Sequence, residues 1–417
     1  MHFQLLIFDL DNTLLETNDL EDGFRGFEYK GEQPLDYINR LRAKALERPQ
    51  RVVYTLGFLV WLKEKYPLLK FGVFTRAPKV YTHTLLSLFY PDFHWDSIVT
   101  ADDGVRPKPS PDGIQRSMAS LGITDVSAVV MIGDGKVDIN AAYAAGVWAV
   151  ADTTTWPERH ISDNYYVIER LPDAMIGDPQ HLPIFLENPV DGWPLLEKLE
   201  YYKSNNPVGT PQRVEVINHF DKSGDDKKFV KVSVLGRRFR NDDLLATRRN
   251  WHPVSHEIEA NKNAIIFPPH WIQSLRVCIG SDIGVQVGNP VVVTVIPARV
   301  GRTPRLENLL AQLSQSHASA PLTGIFGSVN LEFIPDVFAY TEGMRSNHGE
   351  HLGAKDRFIN VRDHMIVRPG YSPHRKRYIV IDDVVTTGAT LFYASHYLRD
   401  AGAVDVVLIS LAKAVSV

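Results

Sequence analysis

Between residues 5 and 170, short apolar runs alternate with longer amphipathic stretches, the pattern of a parallel sheet flanked by helices. Gln4–Phe8, Lys70–Thr75, Ser97–Thr100, Ala128–Ile132, Val147–Ala151 and Tyr165–Ile168 read as its strands. Residues 16–56 are polar at first and helical around Pro34–Glu47, too long for a simple crossover, and read as a small cap inserted after the first strand. A helix over Leu195–Lys203 leads into Ser204–Pro211, where Pro207, Gly209 and Pro211 give a linker composition. Beyond it, Arg213–Asn218, Phe229–Leu235, Ala264–Phe267, Val291–Ile296 and Tyr378–Ile381 read as strands, and Arg305–Ser316 and Ala389–Ala401 as helices. The expected architecture is two doubly wound α/β domains: residues 1–190, a connecting helix and linker over 191–211, and residues 212–417.

A chain of 417 residues exceeds one ordinary core, and its 44% hydrophobic and 23% charged residues are those of a globular protein. A net charge of −4 gives no global pull toward nucleic acid or anionic lipid, so any such binding must be local. Arg237, Arg238 and Arg240, followed by Arg248, Arg249 and Trp251, form one basic and aromatic cluster that is a candidate nucleic-acid or nucleotide surface. With Asp225, Asp242 and Asp243 nearby, the same cluster also reads as a solvated charged face. Cys278 is the only cysteine, which excludes an internal disulfide or a CxxC metal pair and fits a reducing cytosol. With neither a secretory leader pattern nor a membrane-spanning apolar run, the expected location is the cytoplasm.

Candidate chemistry concentrates where strands end. LLIFDLDNTLL places Asp9 and Asp11 directly after an apolar strand, at the sheet edge where ligands bind in such folds. Hydrolysis through an acyl-phosphate needs a nucleophile, a proton for the leaving oxygen and a base for water, which two neighbouring carboxylates can divide. Two aspartates after a strand also serve as turn or cap residues. Further along, Thr75 ends the second strand with a hydroxyl, Lys108 in Arg106-Pro107-Lys108-Pro109 offers an ammonium, and MIGDGKVDINAA carries Asp134 and Asp138. Oxygen ligands beside a phosphate suit Mg2+.

This ordered set resembles the haloacid dehalogenase superfamily of phosphatases over residues 3–168. The resemblance implies a Rossmannoid fold with Asp9 as nucleophile, Asp11 as general acid and base, and Thr75 and Lys108 as phosphoryl clamps. Asp9, Asp11, Asp134 and Asp138 are implied around the metal, Asp134 as a direct ligand and Asp138 in support of it or of the lysine. An aspartate at position 11 points to the phosphatase branch. The cap, with Phe24, Arg25, Phe27, Tyr29 and Lys30, would choose the leaving group.

A second constellation lies near the C-terminus, where RYIVIDDVVTTGATL joins an apolar strand to an acidic, threonine-rich loop that opens a helix. Thr386, Thr387, Gly388 and Thr390 can offer hydroxyls and backbone N–H groups to a phosphate, and Asp382 and Asp383 can accept from ribose hydroxyls. A strand ending in an acidic turn with a threonine cap would explain any two of these residues. The segment is similar to the phosphoribosyl-diphosphate (PRPP) loop of type I phosphoribosyltransferases. VVVTVIPARVGRTPRLENLLAQL then implies that fold's pyrophosphate loop at Ala298 and Arg299, with Arg302 and Arg305 adding charge. Residues 291–415 look most like the competence-associated ComF branch, although its cysteine-based zinc element is missing here. The mobile loop expected of the fold falls within Tyr340–Arg377.

Together the two resemblances imply a bifunctional enzyme that combines Mg2+-dependent phosphomonoester hydrolysis with PRPP-dependent phosphoribosyl transfer. Mg2+ would serve both domains, and the substrate would be a nucleotide or ribose phosphate. Two alternatives stay open: a phosphatase regulated by a non-catalytic PRPP-binding domain, and a repair enzyme acting on 3′-phosphorylated nucleic-acid ends. A second copy of the chain is a further candidate partner.

Overall fold

The unbroken apolar run LLIF forms β1 (Leu5–Phe8), buried at every position, as a strand covered on both faces requires. In this computed structural model, which describes residues 3–24, 34–156, 166–202, 212–217, 229–283, 290–299, 301–324, 327–328, 330–345 and 352–417, β1 lies inside a six-stranded sheet. The chain continues through α1 (Pro34–Leu46), α2 (Leu56–Lys65), β2 (Lys70–Phe74), α3 (Lys79–Phe89), β3 (Ser97–Val99) and α4 (Asp112–Ser120). It then forms β4 (Val129–Gly133), α5 (Lys136–Ala145), β5 (Trp148–Asp152) and β6 (Ala174–Ile176). The sheet order is β3-β2-β1-β4-β5-β6, and every pairing is parallel. Because the chain leaves β1 toward one edge and returns to its other side as β4, the order reverses there, and the carboxyl ends of β1 and β4 flank the crevice.

The chain divides into two compact units, Met1–Trp193 with Phe239–Trp251 and Ser416–Val417, and Pro194–Arg238 with His252–Val415. The first unit's core gathers Leu6, Phe8, Tyr54, Phe71, Tyr81 and Trp148, all fully buried. Trp148 stacks on Trp193 at 5.2 Å. Tyr165–Ile168, expected as the sixth strand, is not one: residues 166–168 are helical and β6 holds the edge instead. A four-residue apolar run cannot tell strand from helix by period alone. The edge position is set by Asp173, whose N–H donates to the Ala149 carbonyl while its carboxylate accepts from the Ala149 N–H, both at 2.8 Å.

The second unit contains α6 (Leu195–Tyr202), β7 (Gln212–Ile217), β8 (Phe229–Val234), α7 (Pro253–Ala260), α8 (Pro269–Ile283), β9 (Val291–Val295) and β10 (Leu331–Phe333). Between these last two strands runs α9 (Arg305–Ser319). A short antiparallel pair, β11 (Phe338–Tyr340) with β12 (Met365–Val367), encloses α10 (Ala354–His364). Then come β13 (Arg377–Val385), α11 (Ala389–Asp400) and β14 (Asp405–Val415). The order β10-β9-β13-β14-β8-β7 is parallel except for the β7–β8 pair. Strand β9 again lies between neighbours on both sides, so the carboxyl ends of β9 and β13 share one sheet edge.

Ala264–Phe267, expected as a strand, is irregular. Ile265 and Ile266 are exposed, and Gln312 satisfies the backbone in place of a ladder, donating to the Ile265 carbonyl and accepting from the Phe267 N–H. The expected linker Ser204–Pro211 lies outside the described residues, as do Arg25, Phe27, Tyr29 and Lys30. No helix among the described residues is long and apolar enough to cross a membrane.

The basic cluster is also corrected in part. Arg237 is fully buried and paired with Glu197 in the second unit. Arg248 is fully buried in the first unit, paired with Asp173 and set 3.8 Å over the Trp251 ring. Arg238 is partly buried against Glu259, which leaves Arg240 exposed. Two guanidiniums already neutralised inside a core cannot meet phosphates.

Candidate active site

Asp9 is the first residue beyond β1, and its N–H donates to the Ile132 carbonyl of β4 at 2.8 Å, which ties the loop to the crevice. The chain then turns sharply. Asn12 takes a left-handed conformation, φ 58°, and its Oδ1 accepts from the Thr17 N–H. This turn carries Asp11 back over the sheet edge, where its Oδ1 accepts from the Thr17 hydroxyl at 2.8 Å and the Tyr81 hydroxyl at 2.9 Å. Thr75 follows β2, buried, with its Oγ1 accepting from the Ala77 N–H.

Lys108 bridges two carboxylates, with Nζ 2.6 Å from Asp9 Oδ1 and 2.5 Å from Asp138 Oδ1. Asp138 sits in the first turn of α5, where its other oxygen accepts from the Gly135 N–H at 3.0 Å as a helix-capping bond. Position 133 must lack a side chain for this: a Cβ there would lie 2.3 Å from Asp138 Cγ. Asp134 follows β4, and the Trp156 indole N–H reaches its carbonyl at 3.3 Å.

Asp9, Asp134 and Asp138 each offer an oxygen within 4.8 Å of the others. Three carboxylates face one ammonium, and this excess of negative charge is buried. Burial pushes the Asp134 carboxyl well above its ordinary value, and the charges of Asp138 and Asp9 push the same way. Burial likewise raises Asp138, against the opposing pull of Lys108. For Lys108 burial acts downward, but Asp138 and Asp9 outweigh it and hold the ammonium above its ordinary value. An oxygen-only donor set with surplus negative charge fits a hard divalent cation. The structure thus brings Asp9, Lys108, Asp134 and Asp138 together, while the Asp11 side chain is engaged by two hydroxyls. Thr17 and Tyr81 were not singled out in the sequence, because neither belongs to a motif.

At the second sheet edge, Asp382 and Asp383 lie within β13 and the loop Thr386–Gly388 leads into α11. Gly388 has φ 76°, a left-handed conformation that glycine adopts without strain. The Thr386 hydroxyl accepts from Arg357 at 3.2 Å and its carbonyl from Lys413 at 2.9 Å. Thr387 and Thr390 are partly buried. Arg305 pairs with Asp383 at 3.1 Å, while its Nε and Nη2 are buried without a hydrogen-bond partner among the described residues. Beyond β9, the Ala298 N–H donates to Glu307 at 2.7 Å and Arg299 donates to the Arg345 carbonyl at 2.7 Å. Burial, then the charge of Asp383, pushes the Asp382 carboxyl well up; burial and Asp382 raise the Tyr340 phenol. Tyr340, Arg357 and Lys413 come from separate elements and were not singled out as site residues in the sequence.

Comparison with known proteins bears on the first of these sites. Residues 26–151 match the family model for haloacid dehalogenase-like hydrolases. Pyrophosphatase PpaX of Oceanobacillus iheyensis is 25% identical over 215 residues, 43% of this chain and 99% of that protein. Validoxylamine A 7'-phosphate phosphatase of Streptomyces hygroscopicus subsp. limoneus is 34% identical over 84 residues, 20% of this chain and 39% of that protein. A haloacid dehalogenase-superfamily hydrolase structure from Geobacter sulfurreducens aligns with a TM-score of 0.30 at 17% identity, over 44% of this chain and 96% of that one. The N-terminal region carries a haloacid dehalogenase-superfamily phosphatase domain.

Proposed function

We propose that this phosphatase domain is a Mg2+-dependent phosphomonoesterase working through an aspartyl-phosphate, and that the second unit is a type I phosphoribosyltransferase-like domain acting with PRPP. The observation that carries the first reading is the Lys108 ammonium held between Asp9 and Asp138 with Asp134 beside them. An Asp9 oxygen attacks phosphorus and the bond to the leaving oxygen breaks. Asp11, oriented by Thr17 and Tyr81, supplies the proton to that oxygen. Asp11 then takes a proton from water, which hydrolyses the acyl-phosphate and frees Asp9. Lys108 and Thr75 hold phosphoryl oxygens. Asp9, Asp134 and Asp138 are the carboxylates that would hold Mg2+, which when bound offsets repulsion between phosphate and Asp9. The relatives' names point to small phosphorylated substrates, and a cap within residues 16–56 would select among them.

For the second unit, support comes from the cations gathered at the Asp382–Thr390 loop. Arg305, Arg357 and Lys413 suit a ligand carrying several phosphates, and the paired acids suit ribose hydroxyls. The two activities would act on one nucleotide or ribose-phosphate metabolite. The same cations support a second reading in which PRPP is bound without turnover and adjusts the phosphatase.

Two assays test this. Asp9→Asn should abolish Mg2+-dependent phosphate release, and full activity in that variant would sink the aspartyl-phosphate reading. Pyrophosphate release from PRPP with a panel of bases, lost in the Asp382→Asn, Asp383→Asn double variant, supports transfer. PRPP binding without pyrophosphate release supports the regulatory reading, and failure of PRPP to bind overturns both.

A further inference from the structure

Three helices of the second unit meet at a cluster that neither site uses. Glu200 on α6, Glu257 on α7 and His270 in the first turn of α8 each offer a ligand atom, all within 4.8 Å of one another. His270 Nε2 lies 2.9 Å from Glu257 Oε2 and 4.0 Å from Glu200 Oε2. The side chains are 15–23% exposed, so the group is mostly buried yet open to water on one side. We propose that Glu200, Glu257 and His270 form a binding site for a first-row transition-metal dication, with Zn2+ as the ion it fits best.

The donor set argues for this class. Two carboxylates with an imidazole suit Zn2+, whereas Mg2+ and Ca2+ favour oxygen-only ligands. Zinc bonds of about 2.0–2.1 Å in a tetrahedron place ligand atoms roughly 3.3 Å apart. Separations of 2.9 and 4.0 Å bracket that value, so small side-chain adjustments would seat the ion. Both distances converge on the single atom His270 Nε2, so that nitrogen would ligate as the deprotonated member of a neutral imidazole. A fourth position on the open side would be filled by water, as three-ligand zinc sites require.

The surroundings already supply an outer layer. The Trp271 indole N–H donates to Glu257 Oε2 at 3.1 Å, fixing the carboxylate that also faces His270. Glu257 and His270 are 13 residues apart and belong to successive helices, whereas Glu200 comes from the helix that opens the unit. An ion here would therefore pin α6 to α7 and α8. An ion-pair cluster in which a protonated His270 is shared by Glu257 and Glu200 is the competing account, and it binds no zinc equivalent here.

The experiment is calorimetric titration of Zn2+ into the full-length, tag-free, chelator-treated chain in excess Mg2+. An Asp134→Asn background separates this site from the phosphatase carboxylates. One equivalent should bind in that background, weakened at least about tenfold by adding either Glu200→Gln or His270→Gln. Zinc should also raise the thermal midpoint of the Asp134→Asn chain but not of these double variants. Should His270→Gln fail to fold by circular dichroism, Glu200→Gln decides, since zinc bound anywhere else on the chain would keep its affinity in that variant. Absence of a zinc equivalent in the Asp134→Asn chain, or unchanged affinity in a folded Glu200→Gln chain, overturns the proposal.

Discussion

Replacing Lys108 with methionine removes the ammonium while keeping most of the apolar stem. In the native chain that ammonium is 1% exposed and touches two carboxylates at 2.6 and 2.5 Å. Its loss leaves Asp9, Asp134 and Asp138 facing one another without the ammonium that bridges Asp9 and Asp138. Breaking a buried ion pair from one side costs about 3–5 kcal/mol, because the remaining charge stays desolvated and unpaired. A preorganised donor at a transition state contributes a similar amount, about 2.7–4 kcal/mol, or roughly 10²–10³ in kcat. The two effects are separable. Urea unfolding reports the first and should show a lower midpoint without metal, recovered in part by Mg2+, which neutralises the same carboxylates. Turnover of p-nitrophenyl phosphate under conditions where the variant is fully folded reports the second. A folded Lys108→Met chain that keeps kcat within about threefold of native would refute the assignment of Lys108 as a phosphoryl clamp, since a donor worth at least 2.7 kcal/mol cannot be removed so cheaply.

Other perturbations have defined outcomes. Tyr81→Phe removes one of the two hydroxyls on Asp11 Oδ1 and should lower kcat about tenfold with little change in KM, because it disturbs orientation and not substrate binding; an unchanged kcat would detach Tyr81 from the mechanism. Arg305→Met, at a guanidinium whose Nε and Nη2 are buried without a hydrogen-bond partner among the described residues, should weaken PRPP binding by at least about tenfold in calorimetry while leaving phosphatase turnover intact. For Glu197, burial pushes the carboxyl up, but Arg237 and His252 outweigh it and hold it far below its ordinary value of 4.5. The resulting stabilisation is present above about pH 4.5 and lost as pH falls below it. Glu197→Gln should thus destabilise the chain by about 3–5 kcal/mol at neutral pH and flatten the acid limb of its urea midpoint, a flattening that the same scan would fail to show if the pair were solvated.

The crevice of the first sheet was legible because its candidate residues lie directly after buried strands. Apolar runs such as LLIF and VVMIG, each followed at once by acidic or turn residues, are consistent with strands covered on both faces, and residues that follow such strands converge where the strand order reverses. What escaped were the groups that hold the reactive ones. Thr17 reaches Asp11 by a backbone turn built on Asn12, and Tyr81 reaches it from a helix 70 residues downstream. Neither pairing leaves a periodic trace. Tyr165–Ile168 failed for a different reason: a short apolar run satisfies either element, and the edge position went to the segment whose Asp173 could hydrogen-bond the neighbouring strand.

The arginine cluster shows where reading charge along a chain misleads. Its nearby acids suggested local neutralisation, yet Asp242 caps the Leu245 N–H, and the partners that matter are remote. Glu197 stands 40 residues before Arg237, and Asp173 stands 75 before Arg248. Once a guanidinium is buried against a carboxylate and aromatic rings, it no longer contributes to the surface potential that would attract a polyanion. Its removal would take the guanidinium away from a buried carboxylate, so the measurable consequence of losing Arg237 or Arg248 is lost stability. A salt-dependent fall in nucleic-acid affinity on substituting Arg237 or Arg248 would require those side chains to leave the cores in which Glu197 and Asp173 hold them.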